Sequence, residues 1–224
     1  MKRKLGVLLL LVVLLVLSLL VAAGCGGQNR SESVTGELFG LTKDNPIKVD
    51  QEKGTMTILA QVNGKFFTEP TRHGAVYING SNGEKAVFRG LVDTESFYNG
   101  LLEIGAQPGN NMTMDNKETT QVEGSDLKIT VNWEGADREY DINEVIIDSS
   151  GNPINIRFGG NLEAAREYKT GCLVCLDSCP VGITSNATYT YGAVEGRKEV
   201  EFYGNKDVLP ADGTLVTLTF TVEK

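Results

Sequence analysis

The sequence predicts an α+β domain, mainly antiparallel β-sheet with one clear helix at about 93–104 and a cysteine-bearing loop. Three segments alternate apolar and polar residues, which is typical of half-buried antiparallel strands; they are 56–62, 127–133 and 216–222. Turn-forming residues separate these segments from shorter apolar runs, and only one segment has clear helical periodicity.

The turns indicate how the strands connect. Asn63-Gly64 directly follows the first alternating segment, which predicts a two-residue hairpin to a strand at 65–67. The glycine-rich stretch 79–83 is predicted to join strands at 75–78 and 86–91, and the stretch 149–153 to join strands at 145–147 and 154–158.

The predicted helix has a start signal, an apolar face and a stop signal. Asp93 or Thr94 is the expected N-cap, and Gly105 followed by Pro108 ends the helix. Its apolar face contains Phe97, Leu101 and Ile104. A second, shorter helix is indicated around 162–168.

The N-terminus predicts export and lipidation. A basic start precedes 19 uncharged residues, Leu5–Ala23, and Ala22-Ala23-Gly24 then precedes Cys25. We interpret 1–24 as a lipoprotein signal peptide, Cys25 as the lipidated residue, 25–54 as a flexible tether and 55–224 as a single domain. A transmembrane anchor is the alternative, since 19 apolar residues can span a bilayer. Either interpretation places the domain outside the cytoplasm, anchored to the bacterial cell membrane or envelope.

Charge and motif content exclude several functions. The net charge is −8, and removal of the signal's three basic residues leaves 18 basic and 29 acidic residues, a net of −11, so no nucleic-acid partner is expected. A single His argues against the common zinc hydrolase sites. The absence of their motifs excludes serine hydrolases and P-loop proteins, and no catalytic residue is predicted. The expected partners are the membrane, through the lipid anchor, and an unidentified redox protein.

Cys172, Cys175 and Cys179 form the one unusual chemical feature, a C-x2-C-x3-C-P run. It matches the last three cysteines of a bacterial ferredoxin run, but Lys169 occupies the position of the first. Three interpretations stay open: thiol redox chemistry, a soft-metal ion or iron–sulfur cluster as cofactor, and a purely structural disulfide. The general secretory signal argues against a cluster, because that route carries unfolded chains. His73 could complete a Cys3His site, although a surface-loop histidine is its default interpretation.

From about Thr55 to Val222 the chain resembles the YdjY-like family of exported bacterial proteins. The segments that carry the resemblance are 68–74, 104–109, 157–161, 172–183 and 204–210. The resemblance implies a β-rich domain outside the cytoplasm, sometimes described as ferredoxin-like for its cysteine run, and it implies no particular reaction. The candidate functions are therefore a membrane-anchored lipoprotein with a redox or soft-metal cysteine loop, a 4Fe-4S electron-transfer protein, and a structural or partner-binding envelope lipoprotein.

The Cys25→Ser variant tests the anchor. Because the thiol of Cys25 would accept the lipid, the variant should lose all fatty-acid labelling and should be released or misprocessed. Metabolic labelling with a radioactive fatty acid measures this, and acylation equal to that of the native chain would contradict the lipoprotein interpretation.

Overall fold

Residues 36–223, the part of the chain that the computed structural model describes, contain fourteen β-strands and three α-helices. The strands are β1 (Glu37–Leu38), β2 (Leu41–Thr42), β3 (Ile47–Asp50), β4 (Thr55–Val62), β5 (His73–Tyr77), β6 (Ala86–Gly90), β7 (Asp126–Asn132), β8 (Tyr140–Asp141), β9 (Ile146–Asp148), β10 (Ile156–Arg157), β11 (Cys172–Cys175), β12 (Thr184–Asn186), β13 (Phe202–Gly204) and β14 (Leu215–Val222). The helices are α1 (Thr94–Glu103), α2 (Ile142–Val145) and α3 (Leu162–Tyr168), and a 3₁₀ turn covers Gly64–Phe67.

Eight of these strands form a closed ring, in the order β10-β12-β11-β5-β6-β4-β14-β7, with β7 pairing back to β10. The predicted α+β class, a sheet with one clear helix, is therefore wrong: strands take up 32% of the structure and helices 13%. The long strands β4 and β7 each pair with β14 along one edge. Along the other edge, β4 pairs with β3 and β6, and β7 pairs with β8 and β10, so β7 closes the ring through β10.

The closure depends on short strands that the alternation pattern could not reveal. All four residues of β11 and all three of β12 are buried, so neither strand alternates between an apolar and a polar face. Two pairs within the ring, β5 with β6 and β11 with β12, are parallel, which departs from the expected antiparallel arrangement.

The hairpin predicted at Asn63-Gly64 is wrong. Residues 64–67 form the 3₁₀ turn instead, and the Phe66 side chain is buried in the core. The reason is that β4 has no free edge for a returning strand, because β14 occupies one edge while β3 and β6 share the other. Likewise β9 and β10 do not pair with each other; β9 pairs with β13, and β10 with β12 and β7.

Both predicted helices are present. The Asp93 carboxylate accepts the N–H groups of Glu95 and Ser96 and so caps α1. The ring of Phe97 packs edge-on against Phe220 at 5.0 Å between centroids, which fixes α1 against the sheet. The shorter predicted helix corresponds to α3.

The apolar residues of the three alternating segments are buried together, as predicted. The residues concerned belong to one core cluster: Met56, Ile58, Val131, Trp133, Leu218 and Phe220. Because β14 lies between β4 and β7, its inward side chains contact those of both neighbours.

The N-terminal predictions fall mostly outside this structure. The signal peptide 1–24 and Cys25 lie outside the described residues. Within the predicted tether 25–54, the structure places β1, β2 and β3, and β3 pairs with β4. Among residues 36–223, no helix has the length and apolar character needed to cross a membrane.

Substitution of Leu218 tests the packing of the core. Leu218→Ala removes a fully buried side chain from the central strand β14, and it should lower the free energy of unfolding by about 2–5 kcal/mol. Chemical denaturation measures the change. Lys128→Ala, on the exposed face of the adjacent β7, is the control and should change stability by less than about 0.5 kcal/mol. Equal midpoints for the two variants would contradict this assignment of the strand faces.

Candidate metal site

The first two cysteines of the run lie at the two ends of β11, not in a loop as predicted. In a regular strand, residues three apart point to opposite faces of the sheet. Here the pairing with β5 shifts register on either side of Val174, so Cys172 and Cys175 depart from that rule. The irregular pairing also places Cys175 directly opposite His73, the first residue of β5.

His73, Cys172 and Cys175 form a buried cluster of potential metal ligands. One ring nitrogen of His73 and the two Sγ atoms all lie within 4.8 Å of one another. The His73 Nδ1 is 3.7 Å from the Cys172 Sγ, and the amide of Asn82 donates to the same sulfur at 3.8 Å. Imidazole and thiolate are the ligands that soft and borderline metal ions such as Zn²⁺ and Cu⁺ prefer.

Cys179 lies in the turn after β11 and is also buried. Its thiol packs in the same apolar cluster as Cys172 and Cys175, although it is not one of the three groups within 4.8 Å. All three described cysteines carry free thiols. The structure therefore joins His73 to Cys172 and Cys175, and it places Cys179 at the margin of this group.

Buried polar side chains hold the turn that carries Cys179. The Asn161 amide donates to the carbonyls of Cys179 and Gly182, both at 3.1 Å, and the Ser185 hydroxyl accepts the Cys179 N–H at 3.2 Å. Gly182 is needed for this packing, because a Cβ at that position would lie 2.7 Å from the Cys175 Sγ. These constraints make the turn stiff, which pre-organises the thiols.

A buried ion pair lies beside the thiols. The Arg72 guanidinium donates to Asp177 Oδ1 at 2.6 Å, and Asp177 Oδ2 accepts the Gly192 N–H at 3.0 Å. The guanidinium also stacks over the Tyr191 ring, 4.2 Å from its centroid. Arg72 and Asp177 are 8% and 0% exposed, so each charge depends on the other for compensation.

The surroundings favour thiolate character at two of the three cysteines. The adjacent Cys175 thiol, aided by His73, lowers the pKa of Cys172 well below its usual range despite the burial of the sulfur. Cys175 and the Arg72 charge lower the pKa of Cys179. Cys172 and Cys179, together with burial, raise the pKa of the central Cys175. A metal ion that binds here would displace the protons that the thiols retain.

The pKa values of the ion pair reflect opposed effects. Burial raises the pKa of the Asp177 carboxyl, while the Arg72 charge and the Gly192 N–H oppose the rise. Burial alone lowers the pKa of Arg72, but Asp177 and the thiols of Cys175 and Cys179 outweigh it and raise that pKa. Arg72 therefore remains a cation next to the sulfur atoms.

Sequence reasoning named the cysteines and His73 but missed the groups around them. The default interpretation of His73 as a surface-loop residue is wrong, because the side chain is 7% exposed and contacts Cys172. Arg72, Asp177 and Asn161 were not singled out. Asp177 lies within the cysteine run and Arg72 directly precedes the only His, and these positions were the available signals.

Comparisons with known proteins agree on one family. The YdjY domain matches residues 47–221 of the chain. The chain is also similar to the uncharacterized protein YdjY of Escherichia coli (strain K12), with 57% identity over 208 residues that cover 92% of each protein. No solved structure matches the chain.

The buried ion pair can be tested by a double-mutant cycle. Asp177→Asn leaves Arg72 as an uncompensated buried cation and should cost about 3–5 kcal/mol in the free energy of unfolding. The double variant Arg72→Met with Asp177→Asn should recover part of that loss, because the unpaired charge is gone while the introduced amide can still accept the Gly192 N–H. Chemical denaturation measures each variant.

The exposed pair Lys65–Glu69, 3.4 Å apart, supplies the control for this cycle. Glu69→Gln should cost less than about 1 kcal/mol. Losses in the double variant that simply equal the sum of the two single losses would show that Arg72 and Asp177 do not depend on each other.

Proposed function

The chain belongs to the YdjY domain family, and from this premise we propose that it is an exported, membrane-anchored protein that binds a soft metal ion through its cysteine–histidine cluster. The observation that supports the proposal best is the convergence of one imidazole nitrogen and two sulfur atoms within 4.8 Å. These three residues come from two different strands, and a bulged pairing brings them together.

The spacing suits a tetrahedral metal ion after small side-chain adjustments. With Zn–S bonds of about 2.3 Å, two sulfur ligands of one ion lie about 3.8 Å apart. The separation of His73 Nδ1 and Cys172 Sγ, 3.7 Å, is already of this size. Asn82, which donates to the Cys172 sulfur, would support that ligand as an outer-shell partner.

Thiol redox chemistry is the second candidate, and a specific observation favours it. Cys172 and Cys175 have the C-x2-C spacing of disulfide oxidoreductases, and the pKa of Cys172 is lowered as in those proteins. A redox thiol must also be reached by its partner, yet Cys172 is only 2% exposed and Cys175 is fully buried. We therefore prefer metal binding, for which burial is an advantage.

The anchor and the location belong to the same proposal. They are supported by the sequence around Cys25, where small residues precede the cysteine after a long apolar run. A lipid at Cys25 would hold the metal-binding domain at the outer surface of a membrane, where it could bind metal ions that reach the envelope.

Metal titration of the full-length protein tests the proposal. The reduced protein in detergent, kept anaerobic, should bind one Zn²⁺ in competition with a chromophoric chelator, and Co²⁺ should give sulfur-to-metal charge-transfer absorption. His73→Gln, Cys172→Ser and Cys175→Ser should each weaken binding at least about tenfold, since even outer-shell losses cost that much. Cys179→Ser is the matched comparison and should weaken binding less, because Cys179 is outside the 4.8 Å group.

The pattern across these variants decides between the candidate functions. The metal site would be contradicted if the native protein bound no metal, or if all four variants bound it as tightly as the native protein. Normal binding by His73→Gln alone would remove His73 from the ligand set. A native protein that binds no metal and titrates reversibly between dithiol and disulfide would instead establish the redox function.

A further inference from the structure

His73 also lines a cleft whose lining includes none of the cysteines. Its volume is about 590 Å³, and it lies between the 3₁₀ turn, the start of β5 and the segment 194–201. That volume is in the range of cavities that hold small organic molecules. Since His73 and Arg72 both line it, the cleft reaches the same strand that carries the candidate metal ligand.

Part of the lining of the cleft is apolar. Phe66, Pro70 and Val194 line it, and Phe66 is anchored in the hydrophobic core. These side chains would accommodate the flat or aliphatic body of a small molecule, because its transfer from water onto such a surface is favourable.

The polar groups of the cleft include cations that lack an anionic partner. Among the described residues, Lys85 and Lys198 line the cleft and form no ion pair, and the ammonium of Lys85 donates only to the side-chain carbonyl of Asn82 at 2.9 Å. The third lysine, Lys65, is paired with Glu69. Two unpaired ammonium groups on one cleft are notable in a chain whose net charge is −8.

The acidic groups of the cleft leave these two ammonium groups unpaired. Glu69 is paired with Lys65, and Glu201 accepts the Tyr203 hydroxyl at 2.6 Å. Glu195 and Glu201 both line the cleft without an ion pair in residues 36–223, and neither is within ion-pair distance of Lys85 or Lys198. Lys85 and Lys198 thus remain free to pair with an anion, and the imidazole of His73 adds a further hydrogen-bonding group.

One ring nitrogen of His73 has no hydrogen-bond partner in residues 36–223. Its Nδ1 faces Cys172, whereas its Nε2 has no hydrogen-bond partner within residues 36–223 and is not sealed from solvent. A histidine that ligates a metal through one nitrogen usually donates its other N–H to a carboxylate or a carbonyl. Residues 36–223 supply neither at this position, which leaves the role to a ligand in the cleft.

We propose that the cleft binds a small organic carboxylate, with its anionic group held by Lys85, Lys198 and the Nε2–H of His73 and its apolar body against Phe66, Pro70 and Val194. Binding requires no metal ion, so the proposal stands apart from the metal site. When both are occupied, the two ligands meet on opposite nitrogens of the same imidazole.

Benzoate is the probe that tests this proposal, because it carries one carboxylate on a flat apolar body. The experiment uses the reduced, metal-free, full-length protein with a purification tag that lacks histidine, in a buffer without carboxylates or phosphate. His73 is the only histidine of the chain, so its imidazole resonances can be followed without ambiguity by NMR. Benzoate should shift them saturably, and the neutral isostere benzamide should not.

Variants locate the anion. Lys198→Gln and Lys85→Gln should each weaken benzoate binding about threefold, the size expected for a partly exposed charge pair. Lys206→Gln removes an exposed lysine outside the cleft and should bind benzoate as the native protein does. Spectra of the backbone amides confirm that each variant is folded.

Three results would overturn the proposal. They are the absence of any saturable shift at His73, equal binding of benzamide and benzoate, and equal weakening by all three lysine variants. Because no metal is present, none of these results depends on the metal titration, and failure of the metal site would leave the benzoate result standing.

Discussion

The irregular pairing of β11 with β5 is the constraint on which both the fold and the site depend. It joins the half of the ring that contains β10 and β12 to the half that contains β4 and β14. The same register shifts remove the regular alternation of β11 and bring both of its cysteines near His73. A strand with ideal pleating would send the two thiols to opposite faces of the sheet.

Burial then determines which chemistry the thiols can support. Tyr191 packs against the cysteine cluster, and the ion pair of Arg72 with Asp177 is buried beside it, so sulfur atoms and charges share a region of low dielectric. In such a region each thiolate needs a stabilising neighbour: His73 contacts the Cys172 sulfur, and the Arg72 charge acts on Cys179. A bound cation would satisfy the same requirement more completely, which is the physical link between the electrostatics of this site and metal binding.

The stiffness of the cysteine turn comes from side chains distant in sequence. Asn161 holds the carbonyls of the turn, Ser185 accepts its N–H, and Gly182 leaves room for the Cys175 sulfur. Lys85 links this region to the cleft, because its ammonium holds Asn82, whose amide contacts Cys172. The metal ligands and the cleft therefore share a continuous set of contacts on β5 and the residues that precede β6.

The sequence by itself determined the strands and the helix that have a clear local pattern. Period-two alternation predicted β4, β7, β14 and their shared core, and a cap with an apolar face predicted α1. The spacing of Cys172, Cys175 and Cys179 predicted an unusual thiol site. Only the tertiary structure decided that the sheet closes, that Asn63-Gly64 begins a 3₁₀ turn, and that His73 and Arg72 join the cysteines. Closure and clustering depend on pairings between strands far apart in the chain, and neither residue type nor spacing encodes a partner or a register.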